Sequence, residues 1–207
     1  AQNLASLRRD GLGAEDVEDA IRNHFCSQLP YTNIDHVTLF VNPFRELPIH
    51  DGSWIEKYSQ MDETLPPHIY NAAAKAYSRG IEPVKQNQVI LLLGEPCTGK
   101  TRAFDHLLKY YVQTSGEGDD DLLGKLPGFL RPFVSVKCQC GKASWSSTRA
   151  LFSVELRLAS DGFLASSAAS VALLEAGRAA RDAESEGFSF EALYLVLKEP
   201  SAQNWIG

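Results

Sequence analysis

Gly94, Gly99, Lys100 and Thr101 have the residue types and spacing of a phosphate site. The run Gly94-Glu95-Pro96-Cys97-Thr98-Gly99-Lys100-Thr101 fits the pattern Gly-x-x-x-x-Gly-Lys-Thr. Its glycines let backbone N–H groups, those of Glu95 and Thr98 among them, close around phosphate oxygens, because no Cβ blocks the approach. Lys100 then supplies a point charge to the outer phosphates, and the Thr101 hydroxyl is placed to ligate Mg²⁺. Two residues weaken the cradle. Pro96 removes one N–H donor, and Cys97 stands where many such loops carry glycine.

Such a loop has to be held between a strand and a helix. Val89-Ile90-Leu91-Leu92-Leu93 is a continuous aliphatic run, which suits a strand covered on both faces. After the loop, Ala103, Phe104, Leu107, Leu108, Tyr111 and Val112 recur at helical spacing, predicting a helix to about Gln113. Its N-terminus, with free N–H groups and a favourable dipole, would face the phosphates. The fold class expected from strand, loop and helix is α/β.

Earlier in the chain, residues 1–13 read as a polar lead-in, and Val17, Ile21, His24 and Phe25 form a helical stripe over 14–25. Residues 31–34 read as a turn or short extended piece. Residues 36–41 alternate and predict a strand that stops at Asn42-Pro43. Ser53-Trp54-Ile55-Glu56 has the capping-box pattern of a short helix running to about Met61. Pro66-Pro67 opens another helix, whose face is Ile69, Ala73, Ala76 and Tyr77 and whose end is Gly80. Residues 116–121 read as a solvated acidic loop, and 122–145 show no regular pattern. Residues 152–158 alternate and meet a turn at Ser160-Asp161-Gly162, predicting a β-hairpin. The Ala-rich stretch 165–183 has helix propensity, and 188–197 suits helix or strand.

The chain has 207 residues, 44% of them apolar and 22% charged, which is enough for a sizeable core. Its formal net charge of −6 argues against nucleic acid as a partner. No apolar run is long enough to span a membrane, and no signal peptide is visible. It begins with Ala1 rather than Met and reads as a piece of a longer chain. Cys26, Cys97, Cys138 and Cys140 suit neither a disulfide framework nor a zinc site and are expected to be reduced thiols. His24, His36, His68 and His106 read as surface or helix-face residues.

A family resemblance extends over most of the chain. Residues 35–41 followed by Asn42-Pro43-Phe44-Arg45-Glu46-Leu47-Pro48-Ile49 resemble the strand and purine-binding loop of a myosin motor head. Pro66-Pro67-His68-Ile69-Tyr70 resembles the helix before its phosphate loop, and residues 86–101 its strand and phosphate loop. Ser146-Ser147-Thr148-Arg149 resembles its switch I, and Leu173-Leu174-Glu175-Ala176-Gly177-Arg178 fits the stretch that follows. The resemblance implies a P-loop NTPase-type mixed sheet flanked by helices, of which this chain is an incomplete portion. Residues 1–30 would be a lead-in and helix, and 31–207 the partial motor domain.

It also implies ligands and roles. ATP and Mg²⁺ would be the cofactors, with Asn42, Pro43 and His50 on the purine side and Gly94, Glu95, Thr98, Gly99, Lys100 and Thr101 around the phosphates. Thr148 would be the second hydroxyl ligand of Mg²⁺, Ser147 would face the γ-phosphate, and Arg149 would pair with a switch II carboxylate. Actin filaments would be the partner of the whole protein and not of this piece alone. The location implied is the cytoplasm, with the cytoskeleton.

The departures bear on activity. His50 stands where the family carries Tyr, and Ser144 and Ser146 stand in the asparagine places of switch I. Leu151 and Phe152 replace a glycine and a lysine. No switch II motif occurs in the sequence, so the chain is expected to bind nucleotide at best and to hydrolyse it poorly. Three readings compete: the ATP-binding part of an actin-based motor, an inactive myosin-like pseudo-motor serving as an interaction module, and a small P-loop kinase. The family also places a strand at about 164–174, against the helix propensity there, and would leave 89–93 with an open edge.

Overall fold

The computed structural model describes residues 13–62, 64–82, 86–95, 98–115, 135–140, 143–148, 151–172 and 187–188. They belong to two compact units: residues 1–118 with 158–164, and residues 119–157 with 165–207.

The first unit begins with α1 (Ala14–Cys26), where the Asp16 carboxylate accepts from the Gly13 N–H at 3.1 Å. β1 (Tyr31–Ile34) and β2 (Val37–Phe40) then pair antiparallel, with Tyr31 opposite Phe40 and Ile34 opposite Val37. Residues 31–34 are thus a strand in their own right. Asp35, at φ 54, makes the tight turn, a conformation Asp tolerates better than most residues. α2 (Gly52–Ser59) is capped two residues before the expected position. Asp51, not Ser53, is the N-cap, accepting from the N–H groups of Ser53 at 3.0 Å and Trp54 at 3.2 Å. α3 (Ile69–Ile81) and α4 (Lys100–Thr114) complete the unit.

Its core follows from helical spacing. Ile69, Tyr70, Ala73 and Ala74 of α3 are buried, as are Leu107, Leu108 and Tyr110 of α4. Most of these form one cluster with Ile55 and Tyr58 of α2 and Tyr31 of β1. The Tyr111 hydroxyl donates to the Ala73 carbonyl at 3.3 Å and ties α4 to α3.

His68 departs from the surface position its sequence suggested. It is 1% exposed. Its Nδ1 accepts from the Tyr70 N–H at 3.1 Å, which makes it the N-cap of α3. The neutral ring therefore carries its proton on Nε2, which is buried without a hydrogen-bond partner. Tyr31, Tyr58 and Tyr70 surround it at centroid distances of 4.6–5.0 Å. His68→Ala removes the cap and this packing together. It is expected to lower unfolding free energy by about 2–4 kcal/mol in urea titrations. His68→Asn, which can still cap, is expected to recover about 1 kcal/mol of that loss. Equal stability of the two variants would show that the cap is not what His68 contributes.

The mixed sheet expected around residues 89–93 is not formed among the described residues. The sheets present are β1 with β2, a three-stranded set ordered β4-β3-β7, and β5 with β6. The 89–93 segment belongs to no ladder, yet its side chains alternate as in an extended chain. Ile90 and Leu92 pack on the core, whereas Val89, Leu91 and Leu93 are 86%, 67% and 80% exposed. Aliphatic side chains favour an extended path, but a strand also needs a neighbouring backbone to bond to.

In the second unit, β3 (Ser135–Cys140) pairs antiparallel with β4 (Ala143–Thr148) and with β7 (Gly187–Phe188). β5 (Leu151–Leu158) and β6 (Leu164–Ala172) form the expected hairpin. Strand pairing there overrides the helix propensity of the alanines, and a bond of 2.7 Å joins Ser153 and Ser170 across the pair. The turn 158–164 belongs to the first unit. The Tyr77 hydroxyl of α3 donates to the Gly162 carbonyl at 2.8 Å. A Cβ on Gly162, at φ 89, would lie 2.7 Å from that hydroxyl oxygen.

Candidate functional site

The first turn of α4 and the chain leading into it form a closed loop. Gly94 has φ 148 and Gly99 φ 95, conformations that L side chains rarely adopt. Gly99 is the N-cap of α4, its carbonyl accepting from the Ala103 N–H at 2.9 Å. Lys100 turns back across the loop, and its Nζ donates to the Gly94 carbonyl at 2.6 Å and the Glu95 carbonyl at 2.7 Å. Thr98 braces the same carbonyl of Glu95 through its hydroxyl, at 2.8 Å. The ammonium therefore stands inside the turn, where an anion drawn to the α4 N-terminus would meet it. Thr101 is exposed in the first turn of α4. Pro96 and Cys97, the two weak points of the motif, lie outside the described residues.

Gly99 also brings two distant parts of the chain together. A Cβ placed on it would lie 3.1 Å from the Phe40 ring and 3.7 Å from the Asn42 amide. Gly99→Ala is therefore expected to cost about 1–3 kcal/mol in thermal unfolding, since it forces a side chain into a left-handed backbone and against Phe40. An unchanged melting temperature would show that the loop accommodates it.

Beside the loop lies a cleft of about 570 Å³, within the usual range for small-molecule sites. Asn42, Pro43 and His50 line it from one side and Gly99, Ala103 and His106 from the other. Arg45, Arg102 and Lys109 face Glu46 and Asp51 around it, an excess of one positive charge that suits an anionic ligand. Arg102 on α4 is ion-paired with Glu46 on the loop after β2, so the two walls are tied together. The Asn42 carboxamide oxygen accepts from the Phe44 N–H at 3.0 Å, and Phe44 itself sits at φ 51.

His106, a surface or helix-face residue by its sequence, forms a wall of the cleft. Its ring stacks on His50 at 3.9 Å with 6° between the planes. His50 is in turn hydrogen-bonded through Nε2 to the Tyr31 hydroxyl at 2.8 Å. Burial pushes His50 down to about 4, helped by Arg102 and Lys109 and opposed by the Leu47 backbone. Burial, with His50 and Arg102 close by, likewise pushes His106 to about 4. Both rings are therefore neutral at pH 7. The signal for His106 was present in the sequence: Gly99, Ala103 and His106 follow the helical spacing i, i+4, i+7.

Asn42, Pro43, His50 and Gly99 thus share one cleft, next to the turn of Gly94, Glu95, Thr98 and Lys100. Ser147 and Thr148 lie in β4 of the second unit, paired by backbone with Val136 and Ser135. Arg149 lies outside the described residues. No group of His, Cys, Asp and Glu among the described residues is arranged to hold a metal ion, and no helix among them is long and apolar enough to cross a membrane.

The family model described as myosin head (motor domain) matches residues 2–204. Myosin-1 of Neurospora crassa is 32% identical over 109 residues, and myosin-1 of Emericella nidulans is 33% identical over 109. The high molecular weight form of myosin-1 of Acanthamoeba castellanii is 32% identical over 111 residues. These alignments cover 52–53% of this chain and 7–9% of the relatives, so the chain spans a small part of their length.

Proposed function

Because the chain belongs to the myosin head (motor domain) family, we propose that it is the ATP-binding part of a myosin-like, actin-based motor. The observation that supports this reading is the closeness of Gly99 to Asn42, whose amide lies 3.7 Å from where a Cβ on Gly99 would stand, with both residues lining one cleft. ATP would lie with its base in the cleft between residues 42–50 and α4, and its phosphates on the turn from Gly94 to Thr101. Lys100 would leave the carbonyls of Gly94 and Glu95 for the outer phosphates, keeping its charge within the same loop. The Thr101 and Thr148 hydroxyls would hold Mg²⁺, which supplies neutralisation of the phosphate charge. Ser147 would face the γ-phosphate, and Arg149 would pair with a switch II carboxylate. The P-loop NTPase-type sheet is part of the proposal: residues 89–93 would become a sheet strand once flanked by others in a longer protein.

The roles divide between binding and turnover. The described loop has the donors and the charge for binding. Placement of the attacking water belongs to switch II in this family, and removal of one positioned donor already lowers rate ~10²–10³-fold. Hydrolysis by this chain alone is accordingly expected to be very slow. The test is titration of a fluorescent ATP analogue with Mg²⁺, chased by unlabelled ATP. Saturable signal displaced by ATP supports the site. Absence of saturable binding at millimolar analogue overturns it and leaves the pseudo-motor reading, in which the module serves as an interaction platform. Co-sedimentation of the full-length protein with actin filaments tests the motor assignment, and the kinase reading requires phosphate transfer to a small acceptor.

A further inference from the structure

Two walls of the cleft meet in a pair of titratable rings. His50 lies on the loop after β2, and His106 stands on α4. The rings are parallel at 3.9 Å, with 6° between their planes, and both are half-buried. The other ties between these walls are exposed. Arg102 pairs with Glu46, and the Lys109 Nζ donates to the His50 carbonyl at 3.3 Å. Exposed pairs of this kind hold little, so the stack carries much of the closure.

The cations that face the stack oppose a proton on it. Arg102 and Lys109 flank it on α4, and Arg45 lines the same cleft. His68, the N-cap of α3, lies 5.2 Å from His50 between centroids. The cleft's carboxylates are engaged: Glu46 with Arg102, and Asp51 with the N–H groups of Ser53 and Trp54. Tyr31 of β1 and Tyr70 of α3 add uncharged hydroxyls, bonded to the His50 Nε2 and carbonyl. The Leu47 backbone favours a proton on His50, one group against several. A first proton would therefore set a cation 3.9 Å from the second ring, with Arg102 and Lys109 beside it.

We propose that the His50–His106 stack is a proton-operated catch on the cleft. While both rings are neutral, the loop after β2 stays closed against α4. A proton on either ring parts the stack, and the cleft loses the wall on which a ligand rests. The identity of that ligand rests on the nucleotide reading above; the parting of the rings does not. The turn at residues 94–101 contains no histidine, so acid releases the base end of a nucleotide and not its phosphates. Parted rings have the ordinary value of 6.5, whereas stacked ones lie at about 4. At pH 5.5 that difference moves the balance from closed toward open about tenfold for each ring.

The experiment is calorimetric titration with Mg-ATP and with inorganic tripolyphosphate at pH 7.5 and 5.5. The ratio of the two affinities cancels protonation of the phosphates themselves. In the wild type, ATP affinity relative to tripolyphosphate is expected to fall about tenfold from pH 7.5 to 5.5, while tripolyphosphate still binds. His106→Phe keeps a flat ring against His50, and a charged His50 is attracted to it. Its ratio is expected to stay level over the same interval. His106→Gln has no stack to part, so its ratio is expected to be low already at pH 7.5. A level ratio in the wild type overturns the proposal, as does an equally steep fall in His106→Phe. Parallel loss of both ligands would assign the acid effect to unfolding and overturns it too. If the wild type binds neither ligand at pH 7.5, the nucleotide reading has failed, and the ring signals of His50 and His106 in an NMR titration decide. Loss of the contact between the rings in the step that protonates them supports the catch. Protonation of each ring at about pH 6.5 with the contact kept overturns it.

Discussion

Lys100→Ala is expected to weaken Mg-ATP binding by about 30-fold or more while leaving the fold intact. The Lys100 ammonium donates to the Gly94 and Glu95 carbonyls. Each of those bonds is partly exposed to water and contributes about 1 kcal/mol. Neither carbonyl is buried, so water replaces the lost donor and the melting temperature should change little. The phosphates have no such substitute. Truncating one partner of a close charge pair costs about 2–5 kcal/mol. That corresponds to a loss of affinity of roughly 30-fold to several-thousandfold. Lys100→Arg should not rescue binding. A planar guanidinium cannot take the place of a compact ammonium that meets two carbonyls at 2.6 and 2.7 Å. An alanine variant that binds within threefold of the wild type would remove Lys100 from the site.

The second large effect is acid lability above the range where carboxylates act. His50, His68 and His106 form one cluster: His50 lies 5.2 Å from His68 and 3.9 Å from His106 between ring centroids. Tyr31, Tyr58 and Tyr70 flank it, with Arg102 and Lys109 the cations on the α4 side. Burial, reinforced by the other two rings, pushes His68 down to about 3 from an ordinary 6.5. The unfolded chain therefore binds protons that the folded chain refuses. Stability is complete above about pH 6.5 and falls as pH drops from there toward 3–4. For His68 alone the full depression is worth on the order of 5 kcal/mol. Asp35, Asp51 and Asp62 are each held below 3.8, chiefly by hydrogen bonds from His36, Ser53 and Thr64. Their contribution is lost only below about pH 4. Urea unfolding at intervals from pH 7.5 to 4.5 thus reads the histidines by themselves. A flat profile over that interval would show that the rings are not shielded as the packing implies.

Much of the site could be read from residue types. The glycines and the lysine of the loop, the helix after it, and the segment from Asn42 to His50 all obey local rules, and Asn42, His50 and Gly99 line one cleft. What could not be read depends on contacts between elements. His68 follows Pro66-Pro67 and opens a helix, so local rules put it at a surface end. Its burial comes from Tyr31 and Tyr58, which lie on other elements. His106 needed the helical register to be counted from Gly99. The alanines of β6 favour helix by themselves and are overruled by their partner strand. The 89–93 run shows the converse: a strong local preference for extension, with no ladder among the described residues to complete it.

That run has a practical consequence for anyone handling the isolated chain. From Val89 to Leu93 it carries no charge and no proline, and three of its five side chains face water. Such stretches are templates on which copies add edge to edge into fibrils. The overall charge of −6 keeps molecules apart at long range, but salt shortens that reach to about 10 Å at 0.1 M. Exposed apolar stretches such as this one then promote association, and turbidity on concentrating will rise, not fall, with added salt.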